Sequence, residues 1–262
     1  MVTTAQSLRA RISGGDISLG AFANLGAAMT AELLGRAGYD WIILDLEHGL
    51  LTEQTLLHSM QAVEASGAAA VIRVEEGTRL RIGRALDLGA RALMVPRVDS
   101  AEEAARVVSY SRYPPTGIRG VALPTRGAGY GELTHTDAAA AHEGICLMLQ
   151  IESAEAVEAA PDIAALDGVD VLFVGPTDLT HSLGVPGDVS HARYRAAVDR
   201  VARAAADHGK RAGVLLWSLD QLAQYVDAGY RVIAAGSDGA FVAASARALV
   251  SDFRSRVGGS GR

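Results

Sequence analysis

The feature that most restricts how this chain can fold is an alternation repeated eight times. A short, apolar, β-branched run is followed each time by a longer stretch with apolar residues at helical spacing. The strand-like runs cover 19–24, 41–46, 69–74, 92–98, 145–151, 169–174, 212–217 and 231–235. The helix-like stretches cover 27–37, 53–65, 79–88, 102–109, 154–166, 192–208, 219–227 and 240–256, with a shorter one at 177–182. Gly38, Gly67 and Gly229 stand where helices should stop, and Ser100 where one should be capped. Eight such pairs predict a (β/α)₈ TIM barrel formed as one domain by residues 1–256, with 257–262 as a disordered tail. An open doubly wound sheet uses the same alternation, but no GxGxxG follows the first strand.

One irregular section interrupts the pattern. Residues 112–136 include YPPTGIRG and RGAGYG, rich in Pro and Gly, and read as a loop or lid. A helical patch is expected at 137–141.

A barrel of this kind carries its active site at the C-terminal ends of its strands. Unusual polar residues collect at those ends here. The second strand, WIILDLEHG, closes with Asp45, Glu47 and His48, three groups that are costly to desolvate in a buried strand. The third closes with Arg73, the fifth with Gln150 and Glu152, and the sixth with Gly175-Pro176-Thr177-Asp178. Trp217 ends the seventh, as a wall of the pocket or as core, and Ser237-Asp238 end the eighth.

Each group has a chemical reading and a plainer one. Glu152 and Asp178 together suit an oxygen-loving divalent cation, although either alone could be a helix N-terminal acid. His48 with Asp45 reads as a general acid/base pair, the carboxylate orienting the ring. Arg73 can stabilise a developing oxyanion, or pair with Glu47, Glu75 or Glu76. The N–H groups of Thr177 and Asp178 open a helix and could seat a substrate carboxylate. Asp238 argues against a phosphate where barrels commonly hold one, and Ser237 or Asp238 is also a plain N-cap. His181 lies near the mouth but suits a surface role, and Arg119 and Arg126 in the irregular section suit solvent better than a distal carboxylate. Lys210, the only lysine, precedes the seventh strand at the far rim, which disfavours a Schiff base.

Composition narrows the setting. A net charge of -6 without a basic cluster argues against nucleic acid, and no apolar run is long enough to span a membrane. The N-terminus lacks a signal-peptide core, and the single cysteine, Cys146, lies in an apolar run as a core thiol. A cytoplasmic enzyme is expected.

Taken together, AGYDWIILDLEHG, VIRVEEG, ALMVPRVDSAEEA, RYPPTGIRG, LQIES and GVDVLFVGPTDLTHSLG resemble the class II pyruvate aldolases of the HpcH/HpaI family. The resemblance extends over about residues 20 to 240, with these stretches lying between residues 37 and 184. The resemblance implies that Glu152 and Asp178 ligate Mg²⁺, Mn²⁺ or Co²⁺, with Gln150 beside them. It implies that His48 and Asp45 form the acid/base dyad, that Arg73 holds the keto or enolate oxygen, and that the Thr177 and Asp178 amides hold the pyruvate carboxylate. It further implies a homo-oligomer, trimer or hexamer, exchanging its last helix between neighbours. Leu46, His181 and the GSDGA stretch depart from the family pattern at the mouth, which bears on the aldehyde rather than on the chemistry.

The reaction so implied is reversible cleavage of a 4-hydroxy-2-oxo acid to an aldehyde and pyruvate, through an enolate whose charge is spread over a cation and Arg73. His48, directly or through a water on the metal, is the candidate for proton transfer. A metal-enolate lyase acting on a CoA thioester, and a keto-acid-binding barrel without turnover, are the competing readings.

Overall fold

The computed structural model describes residues 4–134, 137 and 144–258. Eight parallel strands close into a barrel in chain order: β1 (Ser18–Ala23), β2 (Trp41–Asp45), β3 (Ala69–Arg73), β4 (Ala92–Val95), β5 (Cys146–Ile151), β6 (Val171–Val174), β7 (Arg211–Leu216) and β8 (Tyr230–Ser237). Around them lie α2 (Ala28–Arg36), α3 (Glu53–Ser66), α4 (Arg79–Asp87), α5 (Ala101–Ser111), α6 (Ala154–Ala164), α7 (Pro176–Ser182), α8 (Ala192–Asp207), α9 (Leu222–Asp227) and α10 (Asp238–Gly258). This is the expected (β/α)₈ architecture.

Every residue of β2 through β6 is buried, because one set of side chains fills the barrel and the other meets the helices. That is why these strands read as continuous apolar runs rather than alternating ones. Inside, the Trp41 and Phe173 rings meet edge to face at 6.5 Å. Gly20 and Gly213 sit where any Cβ would run into those two rings, so bulk on one strand is matched by its absence on another. Cys146 is buried in the same interior cluster, as expected.

A helix that the sequence reading did not anticipate, α1 (Thr4–Gly14), precedes β1. Its Leu8 and Ile12, one turn apart, join the interior cluster. Arg9 pairs with Asp170 ahead of β6, Arg11 with Asp40 ahead of β2, and Arg211 at the start of β7 donates to the carbonyls of Ile12 and Ser13. All of these anchors lie at the N-terminal rim, so α1 closes that end of the barrel. Two large apolar residues, Leu8 and Ile12, in a polar stretch give too weak a period to be seen in sequence.

The irregular section is not a lid over this barrel's mouth. It carries the chain from α5 back to the start of β5, and such a connection lies at the N-terminal rim. Arg119 is buried, bonded to Asp87 at 3.0 Å and stacked 4.4 Å from the centre of the Tyr113 ring. Arg126 donates to the Glu64 carboxylate at 2.6 Å and to the Leu88 carbonyl at 3.2 Å. Both arginines therefore knit the loop to α3 and α4 instead of facing solvent or a substrate. Apart from Asp137, the helical patch expected at 137–141 lies outside the described residues, as do His135 and His142.

The last helix runs further than expected. α10 continues through residues 257 and 258, so the tail expected from 257 is helical at its start, and 259–262 lie outside the described residues. Phe241, Leu249, Val250 and Phe253 of α10 are exposed, as are Met29 and Leu33 of α2. Among the described residues no helix is long and apolar enough to cross a membrane.

Candidate active site

The C-terminal ends of β1, β2, β3 and β5 to β8 surround a cavity of about 470 Å³, lined by His48, Arg73, Gln150, Glu152, Thr177, Asp178 and Trp217 among others. The barrel has thus gathered all the predicted site residues except Asp45, which lies directly behind Arg73.

Asp45 and Arg73 end β2 and β3 as register partners. Arg73 Nε donates to Asp45 Oδ1 at 2.8 Å and Nη2 to Oδ2 at 2.7 Å, a bidentate fork that is fully buried on the Asp45 side. Nη1 lies 3.0 Å from Glu47 Oε2, and the guanidinium carbon sits 4.9 Å over the Phe22 ring. Burial works against the charge on Arg73, but the Asp45 hydrogen bonds and the flanking carboxylates outweigh it and raise its pKa.

The expected pairing of Asp45 with the His48 ring does not form. Asp45 Oδ1 also accepts the backbone N–H groups of Glu47 (3.1 Å) and His48 (3.3 Å), and Oδ2 accepts Asn24 Nδ2 at 2.6 Å. With five donors on two oxygens, Asp45 shapes the turn that carries His48 and leaves the ring alone. The ring instead has its Nε2 3.7 Å from Glu47 Oε2, with the side chain 65 % exposed at the mouth.

The same cavity is lined by Glu152 and Asp178. Glu152 Oε1 accepts Gln150 Nε2 at 2.5 Å, and Oε2 accepts the Arg97 N–H at 3.4 Å. Arg97 adopts a left-handed backbone (φ 50°) at this point, the kind of conformation that persists where the surroundings demand it. Burial, then the charges of Asp178 and Glu47, push the Glu152 carboxyl up to about 7, against the pull of Arg73. The first intrahelical bond of α7 runs from Leu179 N–H to the Gly175 carbonyl at 3.0 Å, so the amides of Thr177 and Asp178 lie ahead of it.

These residues fit a divalent cation. Among the described residues no three His, Cys, Asp or Glu side chains cluster for a metal, so any ion here relies on two carboxylates plus other oxygens. Three observations favour one. Gln150 Oε1 is buried without a hydrogen-bond partner beside Glu152. A Cβ on Gly175 would overlap the Glu152 carboxylate, so the backbone there is stripped back to admit it. Glu152 is raised first by its burial and then by the negative charges of Asp178 and Glu47, and an ion would offset both.

The remaining predicted positions are resolved plainly. Trp217, half exposed, lines the cavity rather than the core. Ser237 caps α10, accepting the Ala240 N–H at 3.2 Å. Asp238 is buried and accepts the backbone N–H groups of Asn24 and Leu25 and the Thr30 hydroxyl, tying α10 to the turn after β1. His181 is exposed, with Nδ1 2.8 Å from the Thr177 carbonyl. Arg73 takes Glu47 among its three suggested partners, while Glu75 goes to Arg81. Asn24 and Phe22 were missed. Both end β1 on the same rim, which was the available signal, but an amide after a strand also reads as a turn.

A family model for HpcH/HpaI aldolase/citrate lyase matches residues 18–245. The chain belongs to the HpcH/HpaI aldolase/citrate lyase family. It is 38% identical over 261 residues to a hydroxypyruvate/pyruvate aldolase of Paraburkholderia phytofirmans, covering 97% of this chain and all of that one (100%). It is 37% identical over 229 residues to a 2-keto-3-deoxy-L-rhamnonate aldolase of Escherichia coli, covering 87% of this chain and 85% of the relative. Among solved structures, an HpcH/HpaI aldolase/citrate lyase family protein from Burkholderia cenocepacia superposes with a TM-score of 0.90 at 34% identity, over 95% of this chain and 99% of that one. HpcH/HpaI membership agrees with the resemblance carried by the sequence motifs.

Proposed function

We propose that the protein is a class II aldolase that reversibly cleaves a 4-hydroxy-2-oxo acid to pyruvate and an aldehyde. The observation that carries this is one cavity lined both by a locked cation, Arg73, and by two carboxylates, Glu152 and Asp178. The chain's relatives named as pyruvate and keto-deoxy sugar acid aldolases support it.

Glu152 and Asp178, with Gln150 beside them, would hold the cation, which as Mg²⁺, Mn²⁺ or Co²⁺ supplies Lewis-acid charge beside the keto acid's oxygens. The Thr177 and Asp178 amides hold the pyruvate carboxylate. Arg73, already fixed by Asp45, meets the C2 oxygen and stabilises the negative charge that grows there as the C3–C4 bond breaks. His48 takes the 4-hydroxyl proton and returns it in the synthetic direction. Trp217 walls the space into which the aldehyde group extends.

The setting is proposed alongside. A cytoplasmic location suits the free, buried Cys146, whose thiol burial pushes well above its ordinary pKa. The exposed apolar residues of α10 and α2 suit burial in a homo-oligomer, trimer or hexamer, with the last helix exchanged between neighbours. Residues 1–256 serve as one catalytic unit.

The test is pyruvate release from a racemic 4-hydroxy-2-oxo acid after chelation, with Mg²⁺, Mn²⁺ and Co²⁺ added back. Activity lost and then restored is the expected result. Activity that survives thorough chelation overturns the role given to Glu152 and Asp178. No pyruvate from any such acid, with cation bound, moves the reading to a CoA thioester lyase or a keto-acid-binding barrel.

A further inference from the structure

We propose that Glu47 is the positioning residue for His48, and that it selects the nitrogen with which the ring takes up the substrate's proton. The inference rests on the aldolase reading and deepens it.

Glu47 Oε2 stands at a junction. The same oxygen lies 3.0 Å from Arg73 Nη1 and 3.7 Å from His48 Nε2. Asp45, the other carboxylate close in sequence, has both oxygens committed to Arg73, Asn24 and the backbone of residues 47 and 48. Among the described residues, Glu47 is therefore the carboxylate that the His48 ring faces. Its side chain is 17 % exposed against 65 % for His48, so the acid is the buried partner and the ring the exposed one. Burial raises the Glu47 pKa, with the charges of Asp45 and Asp178 adding to the rise, while Arg73 and His48 oppose it.

The consequence for the ring is tautomeric. A separation of 3.7 Å is longer than a hydrogen bond, yet a carboxylate charge that near acts on the ring whether or not substrate is present. A carboxylate at Nε2 favours the ring with its proton there, which leaves the Nδ1 lone pair for the substrate. In cleavage the 4-hydroxyl proton passes to Nδ1, and the O–H electron pair forms the aldehyde carbonyl. The C3–C4 pair becomes the enolate of pyruvate, and the imidazolium shares its charge with Glu47. Glu47 is also bound to Arg73, so one side chain sets the spacing between the group that takes the proton and the group that receives the oxyanion.

The experiment has two readouts. In metal-free protein at about pH 8, where an ordinary imidazole is neutral, the ¹⁵N shifts of the His48 ring report the tautomer. The Nε2–H form is expected in the parent, and a loss of that preference in Glu47→Gln. In turnover, Glu47→Gln should lower kcat by roughly 100-fold with KM changed less than about threefold, and Glu47→Asp should recover part of the loss. An Nδ1–H ring in the parent, an unchanged tautomer in Glu47→Gln, or an unchanged kcat overturns the proposal. The tautomer needs neither substrate nor cation, so it stands or falls apart from pyruvate release by the parent protein.

Discussion

Asp45 and Arg73 end neighbouring strands in register and meet edge to edge, through hydrogen bonds of 2.8 and 2.7 Å. The fork needs a planar guanidinium, and it aims Arg73 before any substrate arrives. Replacing Asp45 by Ala strands a buried cation with Glu47 as its remaining anionic contact. Chemical denaturation should show a loss of about 3–5 kcal/mol. A loss below about 1 kcal/mol would mean that Glu47 and the Phe22 ring suffice to hold Arg73.

Glu152 makes the metal-free protein sensitive to pH. Its carboxyl is raised from 4.5 in an open chain to about 7 in the fold. A raised carboxyl contributes stability in full below the unfolded value and loses it as pH climbs through the folded one. The shift is worth at most about 3 kcal/mol. Metal-free protein should therefore melt lower at about pH 8 than at about pH 5, and Glu152→Gln should flatten that difference. An equally steep dependence in the variant would place the effect elsewhere.

Gly175 faces the Glu152 carboxylate with no side chain between them. In Gly175→Ala the carboxylate must move. Calorimetry should show Mn²⁺ bound at least about tenfold more weakly, with the circular dichroism spectrum unchanged. Undiminished Mn²⁺ affinity would show that Glu152 is not a ligand.

Lys210 directly precedes β7, at the opposite end of the barrel from the cavity. Lys210→Met should keep the parent kcat, and borohydride with pyruvate should fail to inactivate the parent enzyme. Inactivation by borohydride would reopen the Schiff-base route.

The barrel was legible because burial on both faces leaves an unmistakable apolar run in β2 through β6, and because residues such as Asp45, Arg73 and Glu152 are too costly to bury without a reason. Lateral relations were less legible. His48 follows Asp45 by three residues, which suggested a pair. The carboxylate was nevertheless claimed by Arg73 and Asn24, residues far from it in sequence. The Pro- and Gly-rich section showed irregularity but not position. Only its place after a helix and before a strand puts it at the far rim, where Arg119 and Arg126 find partners on α3 and α4. The short α1 was invisible because, among its described side chains, only Leu8 and Ile12 are buried.

That short helix has a kinetic consequence. Among the described residues, Leu8 and Ile12 stopper one end and the Trp41 and Phe173 rings fill the bore, so the cavity is approached from the C-terminal ends of the strands. Whatever seats deepest must arrive first and depart last. For an aldolase whose keto acid lies against the inner carboxylates and whose aldehyde lies toward Trp217, this is a queue imposed by architecture. Under the proposed aldolase reading, product-inhibition kinetics should show the aldehyde leaving before pyruvate in cleavage, and pyruvate entering before the aldehyde in synthesis.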